Sequence, residues 1–281
     1  MDKSEIIKTI TRLGCEYDTI SHFLGKDPII FPRHFYLLFN ALPPEENFPV
    51  PDNYKVRLQD IEIAGIIAAH LAWGRRAMIL RDTERAMNEM HWKPYEYVMA
   101  GKYRNEDKSL HRTVKWSEFA MICGNLCKYY TENQTIEPLT PDQIRVQIFG
   151  QKSALKMPNK KIHMFRRWMV RNDGAVDLGL WKTISPADLI IPLDVHVHDT
   201  ALDLGITDRK PSDYRTAKEI TDFCARAFPG DPCKGDYALF AYSVENPKPK
   251  NENTKPKKPK ASKQKTVNSR SNTKSSPVHR R

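Results

Sequence analysis

Three side chains able to bind a divalent cation or to hold charge at a reaction centre stand close together in Ile190-Ile191-Pro192-Leu193-Asp194-Val195-His196-Val197-His198. They are Asp194, His196 and His198, and what they can do depends on the backbone beneath them. In a strand, positions i and i+2 share a face, and all three would converge on one ion. In a helix, positions i and i+2 point about 200° apart, so the two histidines cannot share a metal. An isolated aspartate at a helix start would instead cap the helix, with its carboxylate held ionised by the N–H groups and the positive dipole end.

The surrounding residues favour the helix. Pro192 disfavours helix at the residue before it, so 189–192 reads as an extended approach. Asp194 is a strong N-cap type; Val197, Ala201 and Leu204 follow at helical spacing, and Gly205 is placed as a C-terminal stop. A D-x-H-x-H strand also opens the sites of metal-dependent hydrolases on a TIM barrel. Only about fifty foldable residues follow this position, and they read as two helices, so eight βα units do not fit around it. A metal-dependent hydrolase using Asp194, His196 and His198 therefore stands as the third reading of function.

The elements that must position this stretch are helical. The N-terminal segment carries Ile6, Ile10 and Leu13 on one face. Residues 60–90 read as a long helical stretch with Asp60 as N-cap and Gly74 as a kink or break. A helix from Ser117 places Cys123 and Cys127 at i,i+4. Residues 160–171 put Met164, Phe165, Trp168 and Met169 at helical spacing, with Arg166, Arg167 and Arg171 on the surface. A further amphipathic helix over 212–228 ends at Pro229-Gly230, and Asp231-Pro232 opens a last one. A small irregular or β element is expected near 99–116. The fold class predicted is all-α, with one domain over residues 1–245 and a tail over 246–281.

Composition narrows the function classes. The five cysteines are odd in number and scattered, which argues for reduced thiols, and their spacing fits neither a zinc site nor an iron–sulfur cluster. No stretch reaches the roughly 18 consecutive apolar residues of a membrane span, and the charged N-terminus lacks a signal-peptide pattern, so no membrane and a cytoplasmic location are expected. The formal charge of +11 sits in the tail: residues 247–281 hold twelve Lys and Arg against one Glu, leaving 33 of each sign in the remainder. So basic and apolar-poor a segment is expected to be disordered, acting as a phosphate-neutralising arm or as a solubilising extension.

Pro192-Leu193-Asp194-Val195-His196-Val197 followed by Leu204-Gly205-Ile206 resembles the helix-hairpin-helix DNA glycosylase superfamily. Lys161-Ile162-His163-Met164-Phe165 and Ile191-Pro192-Leu193-Asp194 are most similar to the archaeal 8-oxoguanine DNA glycosylase branch, where a K-x-x-x-F helix carries the lysine and an I-P-x-D segment the aspartate. The whole chain also resembles an uncharacterised bacterial family of unknown function that carries RWMVR, PLD-x-HV and D-P-x-K-x-D-[YF]-ALF, here Arg167–Arg171, Pro192–Val197 and Asp231–Phe240. Two features depart from the superfamily pattern: Gly150–Asn159 occupies the place of the L-P-G-[VI]-G hairpin, and Asp199 that of an arginine.

The resemblance implies a helix-hairpin-helix glycosylase-like fold and base-excision repair on duplex DNA carrying a damaged base, with an oxidised purine as the lesion class. Asp194 would stabilise oxocarbenium character at the sugar, which needs no metal and no cofactor. Lys161, with Lys160 as the fallback, would attack the sugar in a glycosylase/lyase. Trp168 and Phe165 are candidate walls for a flipped base, and His196 and Arg167 candidate substrate contacts. A monomer is expected. The second reading is a non-catalytic nucleic-acid-binding protein of the same fold.

Overall fold

Eleven α-helices and one two-stranded ribbon carry the chain in a computed structural model that describes residues 2–19, 26–172 and 176–247. The molecule divides into two units, Met1–Pro247 and Lys248–Arg281. The second unit, and with it nearly all of the tail expected to be disordered, lies outside the described residues. The all-α expectation holds: the only strands among the described residues are β1 (Ser109–His111) and β2 (Val114–Lys115), an antiparallel pair in the region expected to be irregular or β.

The central element is α3 (Leu58–Leu71), whose residues from Asp60 to Leu71 are all buried. A helix apolar on every side can be stable only inside a shell of other elements. That shell comprises α2 (Ile30–Phe39), α4 (Arg76–Glu89), α5 (Pro94–Ala100), α6 (Trp116–Tyr130) and α8 (Lys160–Val170). A short α7 (Pro141–Gln143), continuing as a π-helical turn over Ile144–Ile148, closes this core beside α6. Glu62 is the one acid deep in α3. It accepts hydrogen bonds from the Tyr130 hydroxyl at 2.8 Å and the Trp181 indole at 2.8 Å, and burial raises its pKa.

A second core joins the ends of the unit. In it α1 (Lys3–Tyr17) packs against α11 (Lys234–Glu245), with α9 (Val195–Asp203) and α10 (Tyr214–Ala227) completing the cluster. Ile6, Ile10 and Leu13, the stripe seen in the sequence, are all buried here.

Three local expectations are corrected. The stretch 60–90 is two helices, broken at Gly74 with φ +102°. Asp60 is not the cap of α3; it lies one turn inside, and its carboxylate accepts from the N–H of Arg57, the N-cap residue, at 2.8 Å and from Tyr95 N–H at 2.8 Å. Pro232 precedes the last helix rather than opening it, and Cys233 is the N-cap.

The larger correction concerns α8. Arg167 and Arg171 are buried, at 6% and 1% exposure, because acids from distant parts of the chain reach them. The Arg171 guanidinium donates to Asp231 at 2.7 and 2.8 Å, to Asp177 at 2.5 Å and to Asp18 at 3.0 Å, while Arg167 pairs with Asp236. Tyr237 adds a hydroxyl bond to Asp177 at 2.9 Å. These ion pairs tie the end of α8 to the start of α11 and the end of α1. Arg166 is partly buried too, donating to the Leu139 carbonyl at 2.9 Å.

Candidate active site

The approach to Asp194 is extended, with Ile191 and Leu193 buried in the second core and Ile191 N–H donating to the Thr221 hydroxyl at 3.1 Å. Asp194 then caps α9: its Oδ1 accepts from Val197 N–H at 2.9 Å, and its carbonyl accepts the first helical bond from His198 at 2.9 Å. Gly205, at φ +67°, ends the element. The helix separates the histidines. His196 borders a cavity, whereas the His198 ring is buried and bonds the Arg209 carbonyl at 2.8 Å. Among the described residues no group of three His, Cys, Asp or Glu side chains is placed to hold a metal ion.

The cavity has a volume of about 620 Å³ and takes its walls from elements of both cores. One wall is the turn between α3 and α4, with Trp73 and Arg76. Residues Lys160, Met164 and Arg167 of α8, at i, i+4 and i+7, form the second. Asp236, Tyr237 and Phe240 of α11 form the third, and the 192–197 segment with Asp194 and His196 closes it.

Packing of α8 on α3 sets which of its residues reach this space. The Phe165 ring lies so close to Gly65 that a Cβ there would stand 2.7 Å from it, and Phe165 also meets Trp181 edge-on at 5.2 Å. Phe165 and Trp168 are both fully buried. The two residues expected to wall a base pocket are therefore core; the rings on the cavity are Trp73, Tyr237 and Phe240. With that face fixed inward, Lys160 points into the cavity, and its ammonium donates to the Ala72 carbonyl at 3.2 Å. Lys161, a further 100° around the helix, does not line it. Its ammonium sits 5.7 Å from the Trp73 ring centroid. Thus the structure brings together Asp194, His196, Arg167 and the fallback amine Lys160.

Electrostatics distinguishes the groups further. Burial pushes the Asp236 carboxyl up to about 6; Arg167 and Lys160 pull it down, while Asp194 and Asp177 add to the rise. A buried acid close to Asp194 and Lys160 is thus poised to exchange a proton near neutral pH. Arg167, although on the cavity wall, has its guanidinium committed to Asp236 and Asp177.

Lys161 has its pKa lowered to about 8 by burial, with Glu118 opposing the fall and Lys160 adding to it. In the unfolded chain it binds its proton up to about 10.5, so the folded protein gains stability as pH rises from about 8 to about 10.5. Below pH 8 its buried charge is a standing penalty. Replacing Lys161 by Met is expected to raise stability at pH 7 by about 1–3 kcal/mol. That gain should shrink steadily toward pH 10.5 in urea melts. A pH-independent difference would contradict this account.

Sequence reasoning missed Trp73, Met164, Asp236, Tyr237 and Phe240 as cavity residues. Two signals pointed to them: Met164 follows Lys160 by one helical turn, and Asp236 and Phe240 occupy one face within the D-P-x-K-x-D-Y-A-L-F segment.

These features define a helical protein with an acid and an amine facing each other in one cleft. The chain belongs to the family described as "Protein of unknown function (DUF2400)", whose model matches residues 49–151 and 140–245. Comparison with curated proteins and with solved structures gives no match. No helix among the described residues is long and apolar enough to cross a membrane.

Proposed function

We propose that the protein is a DNA N-glycosylase with an associated lyase step, acting on a damaged base turned out of the duplex into the 620 Å³ cavity. The observation that carries the reading is that Asp194, capping a helix, and Lys160 line one cavity of a size typical for small-ligand sites, about 300–1,000 Å³. Its aromatic walls, Trp73 and Phe240, suit a planar base.

The chemistry follows from the groups present. Lys160 passes a proton to Asp236 and attacks the sugar C1′ with its lone pair. The C1′–N bond breaks, and the base departs with that electron pair and takes the proton from Asp236. The Asp194 carboxylate faces the positive charge that develops at C1′ in between. The sugar ring then opens, O4′ leaving C1′ with its electrons and accepting the remaining amine proton, which gives a protonated Schiff base. Loss of the C2′ proton expels the 3′ phosphate.

Borohydride, which reduces the Schiff base to a stable adduct, tests this on duplexes carrying 8-oxoguanine, uracil or an abasic site. An adduct is expected with the wild type and with Lys161→Met, and none with Lys160→Ala. No adduct with the wild type on any substrate removes the lyase step. An adduct that survives Lys160→Ala and is lost in Lys161→Met returns the amine role to Lys161.

A further inference from the structure

One side of the cavity mouth carries a concentration of positive charge that the ion pairs of the fold do not absorb. Trp73 and Gly74 form the turn between α3 and α4, and Arg76 follows on the cavity wall. The Arg112 guanidinium, from the tip of the β1–β2 ribbon, stacks 4.4 Å from the Trp73 ring centroid and fills the space a Cβ at Gly74 would need. The neighbouring His111 anchors that ribbon, bonding Asp82 at 2.8 Å and the Trp73 carbonyl at 2.9 Å. Lys161 approaches the same indole from α8.

The pairing pattern along α4 is uneven. Its later arginines, Arg81 and Arg85, both pair with Asp82. Arg75, Arg76 and Arg112 are exposed, and among the described residues none lies within ion-pair distance of a carboxylate. Residues 1–246 carry equal numbers of acidic and basic groups, so this cluster is a local excess. Gathering like charges is unfavourable unless an anion neutralises them. An arginine held flat on an indole, at the end of a pinned ribbon, presents its donors with little further loss of freedom.

We propose that Arg76 and Arg112 form a phosphate-binding rim that holds the DNA backbone beside the nucleotide in the cavity. This inference rests on the glycosylase reading for the occupant of the cavity. It assigns backbone contact to the α3–α4 turn and the β1–β2 ribbon, in a chain that lacks the L-P-G-[VI]-G hairpin before α8.

The test is fluorescence anisotropy of the full chain on a duplex bearing a tetrahydrofuran abasic analogue, titrated over a range of KCl concentrations. The tail contributes equally to every variant. Arg76→Gln/Arg112→Gln should weaken binding at least tenfold at moderate salt and flatten the slope of log K against log[salt] by about two, one unit per phosphate released. Arg76→Lys/Arg112→Lys should restore most of the slope, because either cation neutralises a phosphate. A glutamine variant with the wild-type slope, or a lysine variant as flat as the glutamine one, overturns the rim. Borohydride trapping on the same preparations separates the two readings. Trapping with an unchanged slope removes the rim alone; a flattened slope without trapping in the wild type leaves the rim and removes the chemistry.

Discussion

Asp194→Asn is expected to slow release of the damaged base by about a thousandfold, equivalent to about 4 kcal/mol of transition-state stabilisation. It should leave DNA binding and thermal stability close to those of the wild type. The two halves of the expectation rest on different atoms. Asp194 Oδ1 is the cap, accepting from Val197 N–H, and asparagine offers the same acceptor at little cost. The negative charge toward the cavity is what asparagine removes. Asp194→Ala should lose both, adding about 1 kcal/mol of destabilisation to the same kinetic defect. Single-turnover base release together with melting curves would separate the roles. Release undiminished in Asp194→Asn would reduce the residue to a plain cap and favour the non-catalytic nucleic-acid-binding reading.

The second large effect concerns stability. Arg171→Leu is expected to destabilise the protein by about 3–5 kcal/mol, because it strands Asp18, Asp177 and Asp231 without their shared cation. For a unit of this size the melting temperature should fall by about 6–20 °C. A buried ion pair is weak evidence of net stability, yet removing one partner alone is costly. Arg171→Leu combined with Asp177→Asn should therefore recover part of the loss. If the single variant melts within about 1 kcal/mol of wild type by urea titration, the hub carries no such weight.

Local chemistry was legible in the sequence, and helical phase relative to the rest of the fold was not. Asp194 as a cap followed from Pro192 before it, the Val197–Ala201–Leu204 spacing after it and Gly205 at the end, all within fourteen residues. The all-α class, the α1 stripe and the ribbon near 109–115 were readable for the same reason. Choosing between Lys160 and Lys161 turns on 100° of rotation, and that rotation is set by Phe165 against Gly65, a contact across a hundred residues. Trp168 and Phe165 look alike to a sequence reader whether they face a core or a ligand. Arg167 and Arg171 read as surface residues because their acids are scattered at 18, 177, 231 and 236, and nothing in a short window announces that they will meet. Asp236 reaches the cavity only because α11 folds back beside α8.

The pairing of α1 with α11 also sets an order of events during synthesis. The first helix to leave the ribosome carries Ile6, Ile10 and Leu13, and its partner surface, with Leu239 and Ala241, is made more than two hundred residues later. Until then that stripe has nothing to cover it, while the core around α3 can already close. The wall that carries Asp236 is laid down last, so the nascent chain holds Lys160 and Asp194 for some time before it holds a complete cavity. A contact of such long range is slow to form, and the unfinished protein therefore passes through a stage at which its central core is built and its chemistry is not.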